Sequence, residues 1–235
     1  MATYDFERPL VTVDTVVLTL IAHQLHVLLV KRQEDPAKGE WSLPGGFVHT
    51  DKDATAEDSV RRVLSQKAGI ALRHMEQIAS FTGQARDRRG WSVSIAYLAL
   101  VQIEEVDLNE NAKWVAVDEV LSLPFDHKDI LDAGLRRVRD KAAYSSLPAF
   151  LLPETFTLPE LERVYEEVLG TALNSAAFRR KVMDQSIIEV ATPNANAEKS
   201  VGRPAQLYRL SQTFLQDMGR VVMLPDGRRG GARSK

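Results

Sequence analysis

The tightest constraint on this chain is the triplet Pro44-Gly45-Gly46, set inside Trp41-Ser42-Leu43 and Phe47-Val48. Proline fixes one backbone dihedral, and two glycines allow a turn at which backbone can approach another group closely. The segments on either side must be compatible with that turn. Upstream, the β-branched run Val11–Leu20 and the run His26–Lys31 predict two strands joined through Ala22-His23-Gln24. Downstream, Val60, Val63 and Leu64 stand at i, i+3 and i+4, which predicts a helix from about Asp53 to Ala68. Gly69 is placed to end that helix as its C′ residue. Two further strands are expected over 77–83 and 93–103, separated by the polar loop Arg86-Asp87-Arg88-Arg89-Gly90-Trp91. Trp114–Val117 reads as a short strand. Asp126–Lys141 reads as a helix burying Ile130, Leu131, Leu135 and Val138.

Composition changes over Ser145–Pro159, where Pro148, Pro153 and Pro159 occur among large apolar residues. This predicts a connection that packs, with residues 1–150 as one domain and 151–225 as a second. The second domain opens on Thr157-Leu158-Pro159-Glu160, a capping box with proline in the first turn. Leu161, Val164, Tyr165, Val168 and Leu169 then mark one face of an amphipathic helix that ends at Gly170. Asn174 or Ser175 caps a second helix, which turns Phe178 and Val182 inward and Arg179, Arg180 and Lys181 largely outward. Ile187–Ala191 and Ala205–Leu210 read as a hairpin whose polar loop carries Lys199 and Arg203. Ser211–Met218 is a final candidate helix, and 226–235 reads as a disordered tail.

Bulk properties narrow the function classes. The 235 residues include no cysteine, which removes disulfide and thiolate chemistry and suits a reducing cytoplasm. No signal-peptide pattern or membrane-length apolar run is expected. Residues 1–154 carry 18 basic and 23 acidic side chains, whereas 155–235 carry 12 and 9. A basic C-terminal part joined to an acidic N-terminal part fits polyanion contact by the second domain alone.

Residues 45–70 resemble the Nudix box, and the resemblance extends over most of residues 10–140. Arg62, Leu64, Gly69 and Ile70 fall on the family's arginine, hydrophobic, glycine and hydrophobic positions. The family's glutamate after the arginine is Val63 here, its two adjacent glutamates are Gln66 and Lys67, and the spacer after Gly46 is two residues longer. In Nudix enzymes those glutamates hold divalent cations against a pyrophosphate. Such cations require anionic oxygen ligands. Val63 offers none, Gln66 is neutral, and Lys67 brings a positive charge. The expectation is a catalytically degenerate domain with no catalytic residue, no metal and no required cofactor. Glu57 and Asp58 remain as carboxylates nearby.

A cleft of this kind keeps features suited to a nucleotide: arginine forks for phosphate and aromatic faces for a base. The candidate ligand residues are Arg32, Trp41, Gly45, Gly46, Phe47, Arg86, Asp87 and Arg88. Trp41 and Trp91 serve equally well as core residues. In the second domain, the order helix, turn, basic helix and hairpin is that of a winged helix-turn-helix, whose second helix enters the major groove. Candidate DNA contacts are Thr157, Asn174, Ser175, Arg179, Arg180, Lys181, Lys199, Arg203 and Gln206.

Taken together, the two parts resemble the NrtR family of Nudix-related regulators of NAD metabolism. Leu43–Val48, Arg86–Trp91, Phe156-Thr157-Leu158 with Leu161 and Tyr165, and Gly202-Arg203-Pro204-Ala205 with Leu207-Tyr208 carry that resemblance. It implies a Nudix-like α/β/α sandwich with a mixed sheet, followed by a winged helix. It further implies a bacterial, cytoplasmic, nucleoid-associated homodimer that binds a palindromic operator and responds to ADP-ribose. Two other readings stay open at this point: an active ADP-ribose pyrophosphohydrolase with an accessory domain, and a protein-interaction module.

Overall fold

In the computed structural model, residues 7–70, 72, 74–103, 106, 108–191 and 205–211 are described. The chain divides into two compact units, Met1–Arg137 and Val138–Lys235. The boundary expected near residue 150 follows the proline-rich composition, whereas this division follows chain packing and falls inside the helix His127–Ala142.

The first unit is built on a mixed sheet. Strand β1 (Leu10–Ile21) pairs antiparallel with β2 (Gln24–Lys31) through the two-residue turn Ala22-His23, both residues having positive φ. That geometry is the tight-hairpin turn that follows strand twist. Strand β2 also pairs with β3 (Trp41–Ser42) and β7 (Ala112–Ala116), and β1 with β4 (Gly45–Phe47). On its other side β1 runs parallel to β6 (Ser92–Leu100), which pairs with β5 (His74–Gly83). The result is a seven-stranded sheet.

Burial on both faces explains why β1 carries apolar residues at both parities, Val13 and Val17 on one and Val16 and Leu18 on the other, instead of alternating with exposed polar ones. Val13 and Val17 join Val60, Val63 and Leu64 of helix α1 (Ala56–Ala68) in one apolar cluster. Val16, of opposite parity, meets Gly134 of helix α2 (His127–Ala142) so closely that a Cβ there would lie 2.9 Å from a Val16 methyl. One helix therefore covers each face, which gives the expected three-layer sandwich.

Helix α1 starts three residues later than its apolar pattern predicts. Thr55 is its N-cap and closes a capping box with Asp58, and Gly69 ends it in the left-handed region at φ 71°. Asp53 anchors the preceding loop instead. Its carboxylate accepts bonds from His49 N, Ser59 Oγ and both ends of the Arg62 guanidinium, at 2.9, 2.6, 2.7 and 2.6 Å. Arg62 donates as well to the Phe47 carbonyl at 2.9 Å, tying β4 to the helix. The Arg62 bond, with Ser59 and His49 adding to it, holds the Asp53 carboxyl well below the ordinary carboxylate range. A depressed folded-state pKa means that Asp53 stabilises the fold above its unfolded value near about 4, and that this contribution begins to be lost there and goes on falling as pH drops toward the folded-state pKa. We expect the urea midpoint of the protein to fall between about pH 5 and pH 3, and the curve for Asp53→Asn to be flatter over that window. Parallel curves for the two proteins would contradict this assignment.

The second unit carries helix α3 (Leu158–Leu169) and helix α4 (Ser175–Asp184). Thr157 and Glu160 form the predicted capping box, and Gly170 ends α3 at φ 68°. Leu161, Val164, Tyr165 and Val168 are buried, with the Tyr165 ring 5.0 Å from that of Phe178 on α4. Tyr165 donates its hydroxyl to the Ser145 carbonyl at 2.8 Å, so the proline-rich connection is packed against this helix. Strands β8 (Ile188–Val190) and β9 (Tyr208–Leu210) form the hairpin; β8 is one residue shorter at each end than predicted, and β9 begins three residues later but ends at Leu210 as expected. Phe156 adds a bridge to Tyr208, with reciprocal backbone bonds of 2.9 and 2.7 Å. The Lys199 and Arg203 positions, the candidate helix after Ser211 and the tail from 226 lie outside the described residues.

Candidate functional site

The first unit holds a cleft of about 360 Å³ between β1, β2, β4, the end of α1 and the loops that follow β5 and precede α2. That volume is within the range of small-molecule sites. Its floor is Asp14, a buried carboxylate in the middle of β1. Burying such a group without partners is costly. Ser94 on the parallel neighbour strand donates to it at 2.5 Å, the Arg86 guanidinium lies at 3.6 Å, and His127 Nε2 at 3.4 Å. His127 Nδ1 accepts the Leu43 amide at 3.1 Å, which leaves the Nε2 proton of the neutral ring facing Asp14. Burial holds the His127 pKa below the usual range, against the pull of Asp14 and Asp126.

Gly45 is required here. It pairs with Asp14 in the β1–β4 register, and a Cβ at this position would collide with the Asp14 carboxylate oxygen. At Gly46 a Cβ would meet a Val63 methyl at 3.0 Å. The Pro-Gly-Gly turn therefore brings backbone against both the buried carboxylate and α1.

Of the candidate ligand residues, Arg32, Gly45, Gly46, Phe47, Arg86 and Asp87 line the cleft. Arg86 makes a bidentate pair with Asp126, at 2.8 and 2.9 Å, and donates to Ser92 Oγ at 3.1 Å. Arg88 is exposed and does not line the cleft; Arg89 does. The turn closed by Gly90 N and Asp87 O folds Arg89 back onto the Asp87 carboxylate, at 2.7 to 3.1 Å, with its guanidinium 4.7 Å from the Phe47 ring centre. Trp41 also lies outside the wall: Lys113 Nζ sits over its ring at 4.3 Å. Trp91 is 48% exposed.

The aromatic rings in the wall are Phe47 and Phe125. Phe125 adopts a left-handed conformation, φ 59°, that is unfavourable for a bulky residue and marks an over-determined position. Its ring lies 4.8 Å from the Arg32 guanidinium and 5.4 Å from the His127 ring. Asp14, Lys67, Arg89, Asn109, Asn111, Phe125 and His127 are wall residues absent from the sequence-based set. Asp14 had a signal, a carboxylate within an otherwise apolar strand. His127 had none, since its role depends on packing across 113 positions of chain.

Three side chains occupy the Nudix glutamate positions. Val63 is in the core, Gln66 lines the cleft, and Lys67 donates its ammonium to the Gly45 carbonyl at 2.5 Å. Partial burial, and then the nearby Arg32 cation, lower the Lys67 pKa. Asp58 is engaged in its capping box, and neither it nor Glu57 lines the cleft. Among the described residues, no three His, Cys, Asp or Glu side chains group as a metal-holding set. The residues at this site do not fit a Nudix metal centre.

In the second unit, Arg179 and Arg180 are exposed on α4, and Lys181 is half-buried. Arg179 Nε lies 3.7 Å from Glu162 of α3. Three candidate DNA contacts have their side chains in local bonds. Thr157 is in the α3 capping box, Asn174 accepts from Ala177 N at 3.0 Å, and Ser175 donates to Glu162. Gln206 is exposed beside the hairpin and donates to the Leu207 carbonyl.

The Nudix domain model matches residues 11–134, and the model of the NrtR DNA-binding winged helix domain matches residues 148–210. A protein of Acinetobacter baylyi named ADPR responsive transcriptional repressor NtrR is 38% identical over 219 residues, covering 91% of this chain and 85% of its own. The chain belongs to the NrtR family. Shewanella oneidensis NrtR, in a crystal structure with a 27mer DNA, is similar to it with a TM-score of 0.77 and 37% identity, over 85% of this chain and 93% of that one. The Nudix domain of Shewanella oneidensis NrtR, in a cocrystal structure with ADP ribose, is similar at a TM-score of 0.52 and 37% identity, over 57% of this chain and 93% of that one. The NrtR-type winged helix and the mixed-sheet Nudix fold agree with the architecture expected from the sequence.

Proposed function

We propose that this protein is a DNA-binding transcriptional repressor of NAD-metabolism genes whose Nudix cleft senses ADP-ribose. The observation that carries the reading is the union of both parts in one chain: a similarity spanning most of a protein named for ADP-ribose-responsive repression, with a cleft and a basic helix in the corresponding domains. Five cationic side chains (Lys31, Arg32, Lys67, Arg86 and Arg89) line the cleft against the carboxylates of Asp14, Glu34 and Asp87, an excess suited to a diphosphate. Phe47 and Phe125 offer apolar faces for a base or ribose.

The Nudix domain binds without efficient hydrolysis in this account. Attack on a pyrophosphate in this family depends on cations held by carboxylates, and Val63, Gln66 and Lys67 supply none. The account includes a homodimer in the bacterial cytoplasm, whose two α4 helices meet successive major-groove segments of a palindromic operator. Arg179, Arg180 and Lys181 supply phosphate contacts, with Lys199, Arg203 and Gln206 as further DNA contacts. Thr157, Asn174 and Ser175 act through backbone N–H groups at the helix starts, since their side chains are engaged within the domain.

The test is a gel shift of the full chain on the DNA upstream of its own gene, with and without ADP-ribose in magnesium buffer. We expect a specific complex that dissociates as ADP-ribose rises, and intact ADP-ribose recovered afterwards. Unchanged DNA affinity at saturating ADP-ribose contradicts sensing. Accumulation of AMP on the same timescale favours the hydrolase.

A further inference from the structure

Four of the five cations lining the cleft are held in two different ways. Arg86 is matched by the Asp126 carboxylate and Arg89 by that of Asp87, each through a bidentate pair. Lys67 and Arg32 are held by carbonyl oxygens instead. Lys67 donates to Gly45 O, and Arg32 to Pro36 O at 2.8 Å and Glu34 O at 3.5 Å. A carbonyl orients a cation but does not cancel its charge. Both groups line the same cleft, and each is made less basic by desolvation and then by another cation close by, Arg32 for Lys67 and Arg89 for Arg32, against the opposing pull of the Asp14 and Glu34 carboxylates. The mutual repulsion stored there is relieved by an anion.

The placement of Lys67 is specific. It sits in the last turn of α1, one turn beyond Val63, so a rigid helix delivers its ammonium to the backbone of the Pro-Gly-Gly turn. Val63 fills the volume against Gly46 with a methyl group. A divalent ion placed there would face a hydrocarbon and an ammonium, whereas an anionic oxygen would find an ammonium already oriented by the Gly45 carbonyl.

We propose that Lys67 takes over the charge-neutralising role of the Nudix divalent cation, and that Lys67 and Arg32 together hold the diphosphate of a nucleotide diphosphate ligand without metal. The inference rests on the ADP-ribose reading above and assigns its diphosphate contacts. One consequence is that ligand binding is insensitive to chelators. Another is that the ligand is retained intact, because an ammonium neutralises phosphate charge but does not carry an attacking water as a metal ion does.

Calorimetric titration of the full chain with ADP-ribose tests this. The wild type is measured in magnesium and in EDTA, and Lys67→Met and Lys67→Arg in EDTA across a salt series. Circular dichroism melts confirm that each variant is folded. We expect equal wild-type affinity in the two buffers, a loss of about tenfold or more in Lys67→Met of the size of a charge-assisted contact, a flatter salt dependence in that variant, and recovery of both properties in Lys67→Arg. A packing role for the lysine stem would leave the salt dependence unchanged. Abolition of wild-type binding by EDTA, or undiminished binding by Lys67→Met, overturns the proposal while leaving the ligand reading intact. No binding of ADP-ribose by the wild type in either buffer overturns both.

Discussion

Gly45→Ala is expected to destabilise the first unit by about 3 kcal/mol and to abolish ADP-ribose binding. The new methyl group has nowhere to go. It would overlap the Asp14 carboxylate and approach the Val13 carbonyl to 2.9 Å. Strand β4 must then leave β1, or the carboxylate must leave its pocket. The first outcome breaks the Thr12–Phe47, Val13–Gly46 and Asp14–Gly45 register. The second strips Ser94 of its acceptor and removes the anion beside Arg86 and His127 in a buried site, where unmatched polar groups are costly. Gly46→Ala is the control. Its methyl would press at 3.0 Å on the end of the Val63 side chain, and a few tenths of an ångström of movement relieves that. Urea titration followed by tryptophan fluorescence measures both variants. A Gly45→Ala midpoint equal to that of Gly46→Ala would contradict the packing described for the turn.

The second large effect is expected at α4. Arg180→Ala should lower operator affinity about tenfold, with a salt slope smaller by about one, and leave ADP-ribose affinity as it was. Arg180 is the sharper probe of the two neighbouring arginines. Arg179 approaches Glu162, a buried carboxylate that also accepts from Ser175, so Arg179→Ala removes a structural partner along with a DNA contact. Arg179→Ala is therefore expected to cost some thermal stability, and Arg180→Ala none, because Arg180 is exposed on the outer face of the helix. Fluorescence anisotropy with labelled operator over a salt series reads the effect. If both single variants bind DNA as the wild type does, α4 is not the recognition helix.

How far the sequence reaches depends on whether a feature is local. The capping box at Thr157 and the glycine stops at Gly69 and Gly170 were legible because their physics is confined to a few consecutive residues. The apolar stripe of α3 was legible for the same reason, since a helix imposes its own period. Other features need the fold. Asp14, Ser94, Arg86, Asp126 and His127 meet only because β1 runs parallel to β6 and α2 begins beside that strand. No spacing in the chain announces this. Arg88 stands directly beside Asp87 in sequence, yet the turn at Gly90 folds Arg89 onto that carboxylate instead. Trp41 is an attractive base-stacking residue in isolation, yet the short β3 strand turns it toward Lys113. Asn174 and Ser175 show a further ambiguity: the short polar residues that suit a phosphate contact are also those that cap helices, and here their side chains serve the helix.

The central claim is a coupling between two ligands, and a thermodynamic cycle tests it most directly. ADP-ribose affinity is measured by calorimetry with the protein free and with the protein saturated by operator DNA; operator affinity is measured with and without saturating ADP-ribose. Linkage requires the two ratios to be equal. The account predicts that each ligand weakens the other by the same factor, about five- to 150-fold for a typical allosteric coupling. Ratios of one in both directions, with both ligands bound, would show a protein that holds ADP-ribose and DNA independently and would contradict the account.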